Sequence, residues 1–192
     1  MISAIYTTGY AGHSAPSLVQ LLQAAGITVL ADVRSNPFSA RQPEMDKPAL
    51  MQALRCAGMR YVFMGDQLGG RPRNPKLYRA GRIDPQALLA HEGYRTGVAR
   101  LIAGAASHSI CLLCAERDPI SCHRGLYIAE SLQEAGMQVL HLIPGKPAED
   151  HQATRTRMAE LAHMEHADLF ASEKDRLSMA IDQMREKIAF TP

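Results

Sequence analysis

Reactive side chains crowd the stretch from Ser109 to Arg124, which holds Cys111, Cys114, Glu116, Arg117, Asp118, Cys122, His123 and Arg124. An apolar run ends on the Cys114 thiol, a short charged loop follows, and Ser121 then reads as the N-cap of a helix opening on Cys122, His123 and Arg124. In a first helical turn the free backbone N–H groups and the helix dipole stabilise a thiolate, and His123, Arg124 and Arg117 add positive charge. Such surroundings bring a thiol pKa from about 8.5 to about 7 or below, so Cys122 is the candidate nucleophile. Its alternative role is to fill space where helix meets sheet.

His123, Glu116, Asp32 and His13 are the acid–base candidates. Asp32 lies inside the apolar run Ile27–Val33, where a lone carboxylate is costly to bury and needs a partner such as Arg34. Cys114, Cys111 and Cys56 read as packing residues, and strand alternation puts Cys114 on the face of Leu112. A Cys114–Cys122 redox pair departs from the two-residue spacing of thioredoxin-like motifs. Cys114, Glu116, Cys122 and His123 are all ligand types for a metal ion, with His13 or Asp32 within reach from other loops. However, successive residues of a helix point about 100° apart, which separates Cys122 from His123, and no zinc-ribbon spacing occurs. No metal site is expected on these grounds, and no cofactor is identified.

These groups need elements to position them. Ile2–Tyr6 reads as a strand, and Ala15–Ala25 as a helix with Ser14 as N-cap and Gly26 at its end. Ile27–Val33, Met59–Met64, Ser109–Cys114 and Met137–Ile143 are further strands, and Pro48–Ala57 and Cys122–Ala135 further helices. Gly65–Ile83 reads as a long loop; the helix capped by Asp84 and Pro85 runs to about Ala106, with Gly93 and Gly97 as candidate breaks. Continuously apolar strands alternating with helices predict an α/β fold: one domain with a mostly parallel, Rossmann-like sheet of about five strands flanked by helices. Residues 1–145 form that domain, and 146–192 are a C-terminal helical extension packed on it.

In an open parallel sheet the ligand crevice lies beyond the carboxyl ends of the strands. The loops expected there hold His13, Arg34, Arg41, Arg71, Arg73, Glu116, Arg117 and Asp118, with Asp32 at a strand end and Cys122, His123 and Arg124 at a helix start. Arg34, Arg41, Arg71, Arg117 and Arg124 suit phosphate or carboxylate, which guanidinium groups bind bidentately. Gly9 and Gly12 allow close backbone approach to a ligand, Gly69 and Gly70 form the turn before Arg71, and Tyr10 is a candidate pocket wall.

The same residues carry a family likeness. Thr8-Gly-Tyr-Ala-Gly-His-Ser14, Ala31-Asp-Val-Arg-Ser-Asn-Pro37 with Ser39 and Arg41, Leu68-Gly-Gly70, and Leu113-Cys-Ala-Glu116 through Cys122-His-Arg124 resemble the signature blocks of the DUF488 family. The blocks stand in the family's order over residues 1–145 and extend toward Asp168-Leu-Phe170; Thr8 departs from the more apolar residue expected there. The resemblance implies the α/β fold and the choice of positions, and it carries no established reaction.

Length and composition bound the function. With 192 residues, 46% apolar content and a formal charge of +2, the chain suits one domain with a sizeable core. Four cysteines do not make a disulfide framework, and reduced thiols are expected. Neither a bilayer-spanning run nor a signal-peptide pattern occurs, so a cytoplasmic location without membrane association is expected. Nucleic acid is a weak candidate at this charge. Leu177, Ile181, Met184 and Ile188 form a narrow apolar stripe that could pack on the domain or pair two copies into a homodimer. The leading reading is an enzyme acting on a small anionic, phosphorylated or nucleotide-like molecule with Cys122 as nucleophile. Its alternatives are a nucleotide-processing enzyme using Asp32, Glu116 or His13 as acid–base groups, and a ligand- or metal-binding module without turnover.

Overall fold

A computed structural model describes residues 4–164 and 172–188. The expected strand residues Ile2 and Ser3, the block Asp168–Phe170 and residues 189–192 of the C-terminal extension lie outside the described residues.

In chain order the strands are β1 (Ala4–Gly9), β2 (Val29–Asp32), β3 (Arg60–Phe63), β4 (Tyr78–Arg79), β5 (Arg82–Ile83), β6 (Ile110–Cys114), β7 (Gln138–Leu142) and β8 (Glu149–Asp150). The helices are α1 (Ala15–Ala24), α2 (Lys47–Cys56), α3 (Gly65–Leu68), α4 (Pro85–Ala90), α5 (Glu92–Ala105), α6 (Glu130–Glu134), α7 (His151–Leu161) and α8 (Glu173–Lys187). Six strands form one sheet in the order β3-β2-β6-β1-β7-β8, parallel except for β8, which runs antiparallel to β7. β4 and β5 form a separate hairpin.

The continuous apolar runs become strands covered on both faces. All residues of β6 and β2 are buried. Leu113 and Cys111 pack with Leu18 and Leu22 of α1 and Leu50 and Leu54 of α2. Leu112 and Cys114 point the other way, into a cluster with Leu101 of α5 and Leu126. The expected α1 is closed at its start by reciprocal Ser14 and Ser17 bonds and at its end by Gly26 at φ +65°.

Three expectations change. The helix after Pro85 divides at His91, leaving Gly93 and Gly97 inside an unbroken α5. The long loop carries α3, the hairpin and short turns. Residues 124–129 wind as a π-helical turn before α6, so the helix begins after His123 instead of at Cys122.

In the C-terminal segment, Leu177, Ile181 and Met184 are buried in the same cluster as Leu112 and Leu126. The stripe is therefore packed against its own chain. No helix among the described residues is long and apolar enough to cross a membrane.

Candidate functional site

The carboxyl ends of β1, β2 and β6 lie side by side, with β6 between the other two. Their backbones continue in register past the strands: Tyr10 N–H donates to the Cys114 carbonyl at 3.0 Å, Ala11 N–H to Ala115 at 3.0 Å, and Val33 N–H to Leu113 at 3.0 Å. Gly9 lets the loop after β6 cross this end, because a Cβ there would stand 1.7 Å from the Glu116 carbonyl oxygen.

Two arginines hold that loop. Arg124, fully buried, donates from Nη1 to the Glu116 carbonyl at 2.6 Å, from Nη2 to the Arg117 carbonyl at 2.9 Å and from Nε to Thr7 Oγ1 at 3.3 Å. From the C-terminal segment, Arg157 grips both carboxylate oxygens of Asp118 at 3.0 Å and also pairs with Glu149. Asp118 in turn caps a 3-10 turn, Pro119–Ser121, by accepting from Ile120 N–H.

That cap displaces the expected one. With the turn starting at Asp118 and Pro119, Cys122 adopts extended backbone (φ −139°, ψ 140°) and His123 becomes the helix's N-cap. The two side chains then converge instead of diverging by a helical step. Cys122 Sγ lies 3.9 Å and Cys114 Sγ 3.6 Å from His123 Nδ1, and both sulfurs reach Glu116 Oε2, at 3.1 and 2.9 Å. Four donor atoms from Cys114, Glu116, Cys122 and His123 thus lie within 4.8 Å of one another. Cys122 and His123 are not held apart by the 100° helical step expected from sequence, because only His123 of the two has helical backbone.

The electrostatics are those of a coupled cluster. Burial works against ionising Cys122, but the Cys114 hydrogen bond and the nearby Arg124 and His123 charges carry its thiol well below the usual range. Burial and the neighbouring Cys122 push the Cys114 thiol up, and burial and Cys122 raise the Glu116 carboxyl. Burial depresses the His123 imidazole, but the Cys122 contact outweighs it and the pKa rises. The Cys111 thiol, on the other face of the sheet, is pushed well up by burial, with Arg124 opposing.

Above the cluster opens a cleft of about 290 Å³ lined by Tyr10, Arg34, Phe38, Gly70, Arg71, Cys114, Glu116 and His123, with Ser35, Asn36 and Ala115. Cys122 is wholly buried below it. Gly70 leaves the room the imidazole occupies, since a Cβ there would stand 2.7 Å from His123 Nδ1. Arg34 pairs with Asp32 at 2.6 Å and lies over the Tyr10 ring at 5.2 Å, yet its buried Nη1 has no hydrogen-bond partner among the described residues. Asp32 also accepts from Tyr61 at 2.7 Å, and burial together with that bond pushes the Tyr61 phenol far above its ordinary range.

The other sequence candidates lie elsewhere. His13 bonds Ser17 at 3.2 Å, and its pKa is lowered by burial and by Arg117. Gly12, at φ +94°, shapes the turn after β1, and Gly69 packs against the Gly65 carbonyl and the Ser35 side chain. Arg41 is exposed. Arg117 is exposed and donates to the Pro144 carbonyl at 2.8 Å, and Arg124 is held inside the protein, so neither borders the cleft. Ser35, Asn36 and Phe38 are not singled out by residue type; their position just after a parallel strand is the available signal.

A larger cleft of about 430 Å³ lies between the β4–β5 hairpin and α8. Its lining residues include no thiol or imidazole, and four of its charges form two ion pairs, Arg79 with Asp84 and Arg185 with Asp182. The smaller cleft is the one with reactive groups.

Comparison with protein families matches residues 14–132 to the domain of unknown function DUF488. No curated protein and no solved structure matches the chain. The matched span covers β2, β3, β6 and every residue of the four-donor cluster, and the chain belongs to the DUF488 family.

Proposed function

We propose that this DUF488 protein is an enzyme acting on a small anionic molecule, phosphorylated or nucleotide-like, whose reacting bond rests over the Cys114–Glu116–Cys122–His123 floor. The observation that carries this reading is the Arg34 guanidinium. It borders the cleft, Asp32 and Tyr10 fix its plane, and its Nη1 has no acceptor among the described residues. A buried donor without a partner costs about 1 to 3 kcal/mol, which an anionic ligand in the cleft recovers. Arg71 borders the same space and adds a second cation, while Tyr10 and Phe38 offer ring faces to an apolar or heterocyclic part of the ligand.

Within this reading Asp32 orients Arg34 and takes no proton from substrate, because Arg34 and Tyr61 already occupy its oxygens. Cys114, Glu116 and His123 face the ligand; Cys122 acts on them from below. The leading role assigned to Cys122 from sequence thus passes to the cluster as a unit.

Calorimetric titration of the full chain with inorganic phosphate and with a nucleoside monophosphate tests the proposal. Both bind, and Arg71→Ala weakens phosphate by roughly 10-fold or more, as loss of a charge-assisted hydrogen bond implies. Arg117→Ala, outside the cleft, leaves binding unchanged. Absence of binding by either ligand, or equal effects of the two substitutions, contradicts it.

A further inference from the structure

We infer that Cys114, Cys122, His123 and Glu116 form a binding site for a divalent transition-metal ion of zinc type, with Glu116 as the ligand that gives way on the cleft side. Its functional consequence rests on the reading of the cleft given above; the binding of the ion itself does not.

The donor set comes first. Two thiols, one imidazole and one carboxyl are the ligand types of four-coordinate zinc, with metal–sulfur distances of about 2.3 Å and metal–nitrogen or –oxygen distances of about 2.0–2.2 Å. Tetrahedral angles then place sulfur and nitrogen donors about 3.4–3.8 Å apart. The two sulfur–nitrogen separations here are 3.6 and 3.9 Å. The carboxylate stands closer to both sulfurs, 2.9 and 3.1 Å, as the acceptor of S–H hydrogen bonds. Metal binding removes those protons and lets Glu116 withdraw toward the cleft it lines.

The imidazole is already oriented for the task. His123 Nε2 lies 3.1 Å from the Val33 carbonyl oxygen, which can only accept, so Nε2 carries the proton. Nδ1 is then the nitrogen that faces the two sulfurs, and it gives its lone pair to the ion once any proton it shares with Cys122 has left, as metal binding requires. A ligating histidine whose second nitrogen donates to a backbone carbonyl is the usual outer-shell arrangement of a zinc site.

Charge balance agrees. The buried Arg124 guanidinium bonds two carbonyls and a hydroxyl, and its charge also acts on the Cys122 and Cys114 thiols and on Glu116. A divalent ion held by two thiolates and one carboxylate has one net negative charge, which Arg124 beside it neutralises. Cys122 lies deepest while Cys114, Glu116 and His123 border the cleft, and Glu116, the least buried of the four, is the position that can pass to water or substrate, as in a catalytic rather than a closed structural site.

Titrating the metal-free, reduced full chain with Co(II) tests the inference. One equivalent binds with the ligand-field bands of four-coordinate cobalt and a thiolate-to-cobalt charge-transfer band, and Zn(II) displaces it. In the unmodified chain, bound zinc protects Cys114 and Cys122 from alkylation while the exposed Cys56 still reacts. Cys114→Ser lowers the charge-transfer band about 2-fold, as loss of one of two thiolates requires, and Cys56→Ser leaves it intact. Cobalt bound without that band, or zinc that protects neither thiol, overturns the inference whatever the variants do. Inorganic phosphate titrated into the same metal-free protein separates the two readings: phosphate binding without cobalt binding removes the metal site alone, and cobalt binding without phosphate binding removes the anion cleft alone.

Discussion

His123 Nε2 stands 3.1 Å from the carbonyl oxygen of Val33, the residue that follows β2, and this contact decides which ring nitrogen faces the sulfurs of Cys114 and Cys122. A residue of the loop after β6 is thereby oriented by the end of the neighbouring strand. The arrangement depends on β2 and β6 being paired, which the chain order alone does not specify.

Gly70 is the second constraint on that ring. Gly70→Ala places a methyl against His123 Nδ1 and Cγ, at 2.7 and 2.8 Å before relaxation, and turns the imidazole off its line to the sulfurs. Zinc affinity, measured by competition with a chromophoric chelator, falls by about 10- to 100-fold, the range of outer-shell changes, while the unfolding transition persists. Affinity equal to that of the unmodified chain contradicts the placement of His123.

Asp32 is expected to be structural. Asp32→Ala strands the Arg34 guanidinium, only 4% exposed, and the Tyr61 hydroxyl without their acceptor. Removing one member of a buried ion pair costs about 3 to 5 kcal/mol, so urea unfolding shifts by that amount. A loss below about 1 kcal/mol, the range of surface ion pairs, shows that the pair is solvated.

His141 gives the stability a pH dependence. It sits between Thr7 Oγ1 at 2.7 Å and His151 Nδ1 at 2.9 Å in a buried chain that ends on Glu130. Burial, then His151 and the nearby arginines, hold its pKa well below 6.5. The unfolded chain therefore takes up a proton near pH 6.5 that the folded chain refuses. Stability is complete above about pH 6.5 and declines as pH falls below it, by about 1.4 kcal/mol per pH unit for one proton. Denaturant midpoints measured from pH 5 to 8 check this: His141→Gln flattens the slope, and an unchanged slope contradicts the assignment.

Ile181 distinguishes packing within the chain from pairing between chains. At 2% exposure it is buried against the domain, and Ile181→Ala costs about 2 to 5 kcal/mol in a concentration-independent manner. A transition midpoint that moves with protein concentration points instead to a homodimer through α8.

Much of the scaffold is legible before folding. Apolar runs such as Ile110–Cys114 identify the parallel strands, and Ser14 and Gly26 bracket α1 because caps are local chemistry. The parts that are not legible depend on neighbours distant in sequence. α3 and the β4–β5 hairpin are only a few residues each and take their order from packing, as where Gly97 of α5 receives Leu68. Arg124 looks like a substrate ligand by type, and only the fold reveals that its three acceptors lie inside. The Cys122–His123 geometry is partly readable: Asp118 and Pro119 repeat the N-cap and N1 pairing seen at Asp84 and Pro85, a signal that the turn begins before Ser121.

The central claim, that the floor of the cleft is one four-donor centre, is tested most directly by X-ray absorption at the zinc edge on the zinc-loaded full chain. The expected result is a four-coordinate shell of two sulfurs at about 2.3 Å and two nitrogen or oxygen donors at about 2.0–2.2 Å. A shell of nitrogen and oxygen alone, or one of four sulfurs, contradicts it.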